Sequence, residues 1–183
     1  MKWLKEFFKA LFGGVSGGGK QVDSVPNEDH GKILPVVNVS DLEKKCLEFY
    51  AEATKEIGVN EYNSTGVSRI KEYHNSTSAK GSGASTAWCS SFANFITSKC
   101  KVKGSGSAMA RSWLKWGREI KTPVKGCIVV FWRDSKTAAT GHVAFYAGET
   151  NTHITVLGGN QKNSVCKTEY AKERLLGYRV PII

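Results

Sequence analysis

Apolar residues recur at helical spacing in the first two-thirds of the chain and give way to strand-like runs near its end. From Lys2 to Phe12, the side chains of Trp3, Phe7 and Leu11 share one side with Leu4, Phe8 and Phe12 beside them, and Lys2, Lys5, Glu6 and Lys9 take the other. That pattern predicts a short basic amphipathic helix. Ser40-Asp41-Leu42-Glu43 reads as a capping box. Leu42, Cys46, Phe49, Ala53 and Ile57 then mark one face of a helix that Gly58 stops. A short helix is predicted over residues 67–73. Thr86 can cap another, with Cys89 in its first turn and Phe92, Ala93, Ile96 and Cys100 on the same face as Cys89. Residues 108–116 read as a helix with Trp113 and Trp116 packed inward.

From Pro123 the pattern changes. The unbroken run Cys127-Ile128-Val129-Val130-Phe131-Trp132 predicts a buried strand. Residues 142–147 and 153–157 follow as strands joined by a turn around Glu149-Thr150-Asn151, and residues 175–180 close the sheet. Helices first and hairpins afterwards predict an α+β domain with an antiparallel sheet. Gly13-Gly14-Val15-Ser16-Gly17-Gly18-Gly19 opens a flexible linker. Its end, Gly14 to Lys20, nearly spells a phosphate-binding loop. Gln21 stands where a Ser or Thr would bind magnesium, and no strand precedes it, so that match is rejected. The organisation read from the chain is a basic helix at 1–12, a linker at 13–39 and a folded domain at 40–183.

Composition narrows the partners. A net charge of +10 over 183 residues points to an acidic polymer or surface: nucleic acid, anionic lipid or the bacterial envelope. The five cysteines are odd in number and lack C-x-x-C spacing, and the four histidines show no ligand spacing. This argues against a disulfide framework or a metal site and for synthesis in a reducing cytosol. No apolar run reaches the length of a membrane span.

The candidate chemistry is nucleophilic. A thiol at a helix start is biased toward the thiolate by the helix dipole, and Cys89 occupies such a place. It needs a base, and His142 on a predicted strand is the best candidate. A third, polar group should orient the imidazole. Asn160, in Leu157-Gly158-Gly159-Asn160-Gln161, follows a strand that can pair beside that of His142, and Gln161 is a weaker candidate for the same task.

Six ordered stretches support this reading. They are Trp88-Cys89-Ser90-Ser91-Phe92, the run from Ala110 to Gly117, Val129-Val130-Phe131-Trp132-Arg133, Gly141-His142-Val143-Ala144-Phe145-Tyr146 and Leu157-Gly158-Gly159-Asn160-Gln161; Arg174-Leu175-Leu176-Gly177-Tyr178-Arg179 ends the series. In this order they resemble the bacterial and phage cell-wall hydrolases of the CHAP and NlpC/P60 families, from about residue 41 to the end. The resemblance implies a papain-like α+β fold and cleavage of amide bonds in peptidoglycan, by an amidase or an endopeptidase without cofactor or metal. By position it makes Cys89 the nucleophile, His142 the general base and Asn160 the orienting residue. One departure is Gly126-Cys127, where such proteins usually have Gly-Asp.

The function expected is therefore that of a phage lysin or virion-associated lytic enzyme, made in the bacterial cytoplasm and acting at the cell wall. Residues 2–12 suit a membrane surface or a groove on a virion protein. Two rivals are an inactive structural protein on the same fold and a basic nucleic-acid-binding protein. Intact Cys89, His142 and Asn160 speak against the first. The tryptophans sit in apolar patterns and no nucleic-acid motif is present, so no nucleic-acid partner is expected.

Overall fold

Helix α1 spans Val39–Lys55 and is the first element of the computed structural model, which describes residues 39–183. The basic helix expected at 1–12 and nearly all of the linker expected at 13–39 lie outside the described residues. The face read from the sequence is the buried one: Leu42, Cys46, Phe49 and Ala53 are at most 5% exposed. Ile57 departs from that expectation and is exposed, because the helix has already ended in the turn that leads to Gly58. Helix α2, Ser64–His74, starts three residues before the expected helix. Asn63 caps it, its side chain accepting from the Gly66 amide at 2.8 Å.

Helix α3, Cys89–Lys99, lies at the centre. Its apolar face is as expected, but Ser90, Ser91, Asn94 and Thr97 are buried as well. A helix buried nearly all round must satisfy its polar side chains within the protein. Ser90 donates to the Ser107 carbonyl, and Asn94 accepts from the Gly106 amide and donates to the Ser90 carbonyl. The loop at 104–107 is thereby wrapped onto the helix. The helix expected at 108–116 is a 3-10 segment, Ala110–Lys115. Trp113 within it is fully buried and donates to the Ser90 hydroxyl at 2.9 Å.

Six strands follow: β1 (Arg118–Ile120), β2 (Ile128–Trp132), β3 (Gly141–Glu149), β4 (His153–Gln161), β5 (Ser164–Ala171) and β6 (Leu175–Val180). They form one antiparallel sheet in the order β1-β6-β2-β3-β4-β5. Side chains alternate between two cores. Ile128, Val130, Val143, Phe145 and Leu157 face the helices, with Phe49, Phe92, Ile96 and Trp113. Val129, Phe131, Ala144, Ile154 and Val156 fill the second core with Leu42, Cys46 and Cys127. Burial on both faces accounts for the unbroken apolar run of β2. Cys127, where an Asp is usual in the families it resembles, is a fully buried member of that second core.

Strands β1 and β5 are absent from the sequence reading. In β5 only Val165 is fully sequestered, so alternation is weak. Its turn is nonetheless specific: Lys162 and Asn163 both have positive φ, as a two-residue type I′ hairpin requires. Phe131 on β2 stacks on Tyr170 on β5 at 4.7 Å between ring centroids, across the intervening strands, so the sheet curls over its second face. The architecture is α+β and papain-like, as expected.

Candidate active site

Cys89 is the first residue of α3 and is 7% exposed. The expected cap at Thr86 is not formed; Thr86 closes a turn by donating its amide to the Gly83 carbonyl, and Trp88 occupies the cap position without a side-chain bond. Trp88 is held from elsewhere. Its indole is fully buried and donates to Glu61 at 2.6 Å, and it packs on the backbone of β4, where a Cβ on Gly159 would come within 2.5 Å of its ring. Only glycine fits there.

The sulfur of Cys89 lies against the backbone of Val143 on β3 and the amides of its own helix start. Those contacts favour the thiolate, as the helix position predicts. Burial opposes them and wins, so the thiol is pushed above its ordinary value of 9.0. The expectation of a resting thiolate is thus overturned by desolvation.

His142 precedes Val143 and is also 7% exposed. Its Nε2 is 3.0 Å from Oε1 of Gln161. The amide nitrogen of Gln161 donates to the Cys166 carbonyl, which can only accept. That bond fixes the amide with its oxygen toward the imidazole. Nε2 therefore carries the proton, and the lone pair is on Nδ1. Among the described residues Nδ1 has no hydrogen-bond partner, and it is not sealed from solvent. No hydrogen bond joins Cys89 directly to His142 among the described residues; the Val143 backbone connects them.

Asn160, expected to orient the imidazole, makes no hydrogen bond to His142 among the described residues. The β4–β5 ladder is irregular between Gly158 and Gln161, and Asn160 takes a positive φ of 57° within the irregularity. An irregularity of this kind changes which residues share a face. Gly158 points toward Ala144, two residues from His142 on β3, and toward the Gln161 amide. Gln161, 2% exposed, is thereby the residue presented to His142.

Tyr170 was not legible as a site residue. Its ring stacks on the imidazole at 5.0 Å and 25°. Its phenol is pushed up to about 12, chiefly by burial and further by proximity to Cys89. Arg174 covers Tyr170 and the indole of Trp132 and donates to the Trp132 carbonyl. Burial, with Arg133 and Arg174 nearby, lowers the pKa of His142 to about 4 against the pull of Gln161. Near neutral pH the pair is a neutral thiol beside a neutral imidazole. Such a pair can pass the thiol proton to Nδ1 as sulfur attacks a carbonyl. Among the described residues no group of three or more His, Cys, Asp or Glu is placed to hold a metal ion.

The family model of the CHAP domain matches residues 79–160. The chain contains a CHAP domain. The matched segment takes in Cys89 and His142 and stops one residue short of Gln161. Searches of curated proteins and of solved structures find no match. The CHAP domain implies a hydrolase, an amidase or peptidase whose substrate is peptidoglycan and whose place of action is the cell wall. No helix among the described residues is long and apolar enough to cross a membrane.

Burial of His142 makes the CHAP domain acid-sensitive. Its pKa in the folded protein, about 4, lies below its ordinary value of 6.5. Above pH 6.5 neither folded nor unfolded chain takes the proton. As pH falls toward 4, the unfolded chain takes it and the folded chain does not, so stability is lost, by about 3 kcal/mol at full effect. Buried His74, bonded through Nδ1 to Ser91 at 2.9 Å, is lowered in the same direction by burial. Urea midpoints should fall between pH 6.5 and 4.5, and less steeply in His142→Ala. Equal slopes in both proteins would exclude His142 as a source.

Proposed function

We propose that the chain cleaves an amide bond of the peptidoglycan stem or cross-link by acyl transfer, with Cys89 as nucleophile, His142 as general base and acid, and Gln161 as the group that orients His142. The observation that carries this reading is His142 held on Gln161 at 3.0 Å beside a buried Cys89 at a helix start, which shares a core cluster with Val143, the neighbour of His142. Nδ1 of His142 takes the thiol proton as sulfur attacks the carbonyl carbon. The Cys89 amide at the helix start, with a neighbouring donor, holds the oxyanion. His142 returns the proton to the departing amine and the acyl-enzyme forms. Water then attacks, giving its proton to His142, and the carboxylic acid leaves as the thiol is restored. The test is digestion of purified peptidoglycan and mass spectrometry of the released fragments, with Cys89→Ala as control.

A nucleic-acid reading is disfavoured by the tryptophans. Trp88 and Trp113 are fully buried, and the indole nitrogens of Trp116 and Trp132 are bonded to backbone carbonyls, so these rings are not a free stacking platform. Retention of a buried thiol and imidazole on adjoining elements speaks against an inactive remnant.

The finer setting is that of a phage lysin or virion-associated enzyme in which the sequence of residues 2–12 acts as an address. Its aromatic side would enter a membrane surface or a virion groove, and each lysine near an anionic surface would add about 1 kcal/mol. A protein starting at Lys20 should still hydrolyse soluble wall fragments. It should no longer sediment with anionic vesicles or enter particles. Unchanged binding to both would move the address to the domain at 40–183.

A further inference from the structure

Three arginines surround the end of the sheet where His142 lies, and they differ in what they bond. Arg111 is consumed by the loop at 133–140, donating to the carbonyls of Ser135, Lys136 and Thr140. Arg174 donates to the carbonyls of Trp132 and Arg133 and lies over two aromatic rings. Arg133 is exposed, and among the described residues its guanidinium makes no hydrogen bond and no ion pair. The adjoining carboxylate, Asp134, is instead bonded by the Thr140 hydroxyl.

The position of Arg133 is fixed by register. Phe131 pairs with His142 and Trp132 with Gly141, so Arg133 leaves β2 at the edge where the His142 strand enters. Its backbone is pinned there by Arg174. The charge of Arg133 reaches both reacting groups, lowering the pKa of the Cys89 thiol and of the His142 imidazole. A peptide seated with its carbonyl on Cys89 would therefore bring its neighbouring groups past an uncommitted guanidinium.

We propose that Arg133 is a specificity residue that binds a free carboxylate of the peptide substrate close to the scissile amide. A guanidinium suits a planar carboxylate and offers paired donors, whereas a carboxamide in its place accepts more weakly and carries no charge. The inference rests on the hydrolase reading above and names the substrate class for that site: stem peptides with an unmodified carboxylate, in preference to their amidated counterparts.

The test uses the full chain and two preparations of soluble wall fragments, one with its stem carboxylates free and one with them converted to carboxamides. The wild-type protein should favour the free form by roughly tenfold to a hundredfold in kcat/KM, mainly through KM. Arg133→Gln should bring that ratio close to one, whatever its effect on turnover of both preparations alike, and Arg133→Lys should restore part of it. A ratio unchanged in Arg133→Gln overturns the proposal, as does a wild-type protein without preference. Binding of both preparations to Cys89→Ala protein, with and without Arg133→Gln, reads the same ratio without turnover. Loss of the ratio there upholds the role of Arg133 even if no fragment is cleaved, an outcome that would count against the hydrolase reading alone. An unchanged ratio rejects it.

Discussion

Cys89→Ala should abolish release of fragments from purified peptidoglycan, with a fall of roughly 10⁴-fold or more. The loss follows from the chemistry assigned to the sulfur: without it no acyl-enzyme forms, and His142 has no proton to accept. His142→Ala should fall by a comparable factor, because a thiol raised by burial is a poor nucleophile unless its proton is removed during attack. Near-ultraviolet circular dichroism, which reports the buried indoles of Trp88 and Trp113, should show that both variants keep the fold. Cys46→Ala and Cys100→Ala give the contrast. Both thiols sit in the cores, so their loss should lower stability by about 1–2 kcal/mol and leave the fragments released unchanged. A folded Cys89→Ala protein that clears the wall at the wild-type rate would remove Cys89 from the mechanism.

The second large effect separates neighbouring residues. Gln161→Ala should reduce kcat by roughly 10²-fold with KM little changed, since it removes the acceptor that fixes the imidazole and its tautomer. Asn160→Ala should leave kcat within a few-fold of wild type. Its cost falls on stability, on the order of 1 kcal/mol, because alanine tolerates a positive φ less well than asparagine. Asn160→Gly should restore that stability. If Asn160→Ala loses as much turnover as Gln161→Ala, the orienting role belongs to Asn160 after all.

These residues show where the sequence was legible. Strong periodicity survived folding: the Leu42, Cys46, Phe49 and Ala53 face is buried, and the apolar run of β2 is covered on both sides. The thiol at the helix start and the imidazole on a strand were also legible, because each depends on local pattern. What failed depends on longer-range arrangement. Asn160 was preferred to Gln161 by its place in the family pattern, just after a strand ending at residue 157; β4 instead runs on to Gln161, through an irregularity at residues 158–161, and Gln161 is the residue bonded to His142. The Thr86 cap was plausible locally, but Thr86 closes a turn on Gly83 and the helix begins three residues after Thr86, at Cys89. The ionisation state of Cys89 was set by burial, which the sequence does not display. Tyr170 reaches His142 only because the sheet curls.

The hydrogen bond from Trp88 to Glu61 also bears on what constitutes an exchangeable unit. Glu61 lies ahead of the segment matched by the family model, and Gln161, Cys166 and Tyr170 lie behind it. The sulfur and the imidazole are inside that segment, but their supports arrive from both flanks. Transplanting residues 79–160 into another lytic scaffold would carry the reagents without their mounting. The portable piece is the longer stretch from α1 through β6, whose ends bracket every one of these braces.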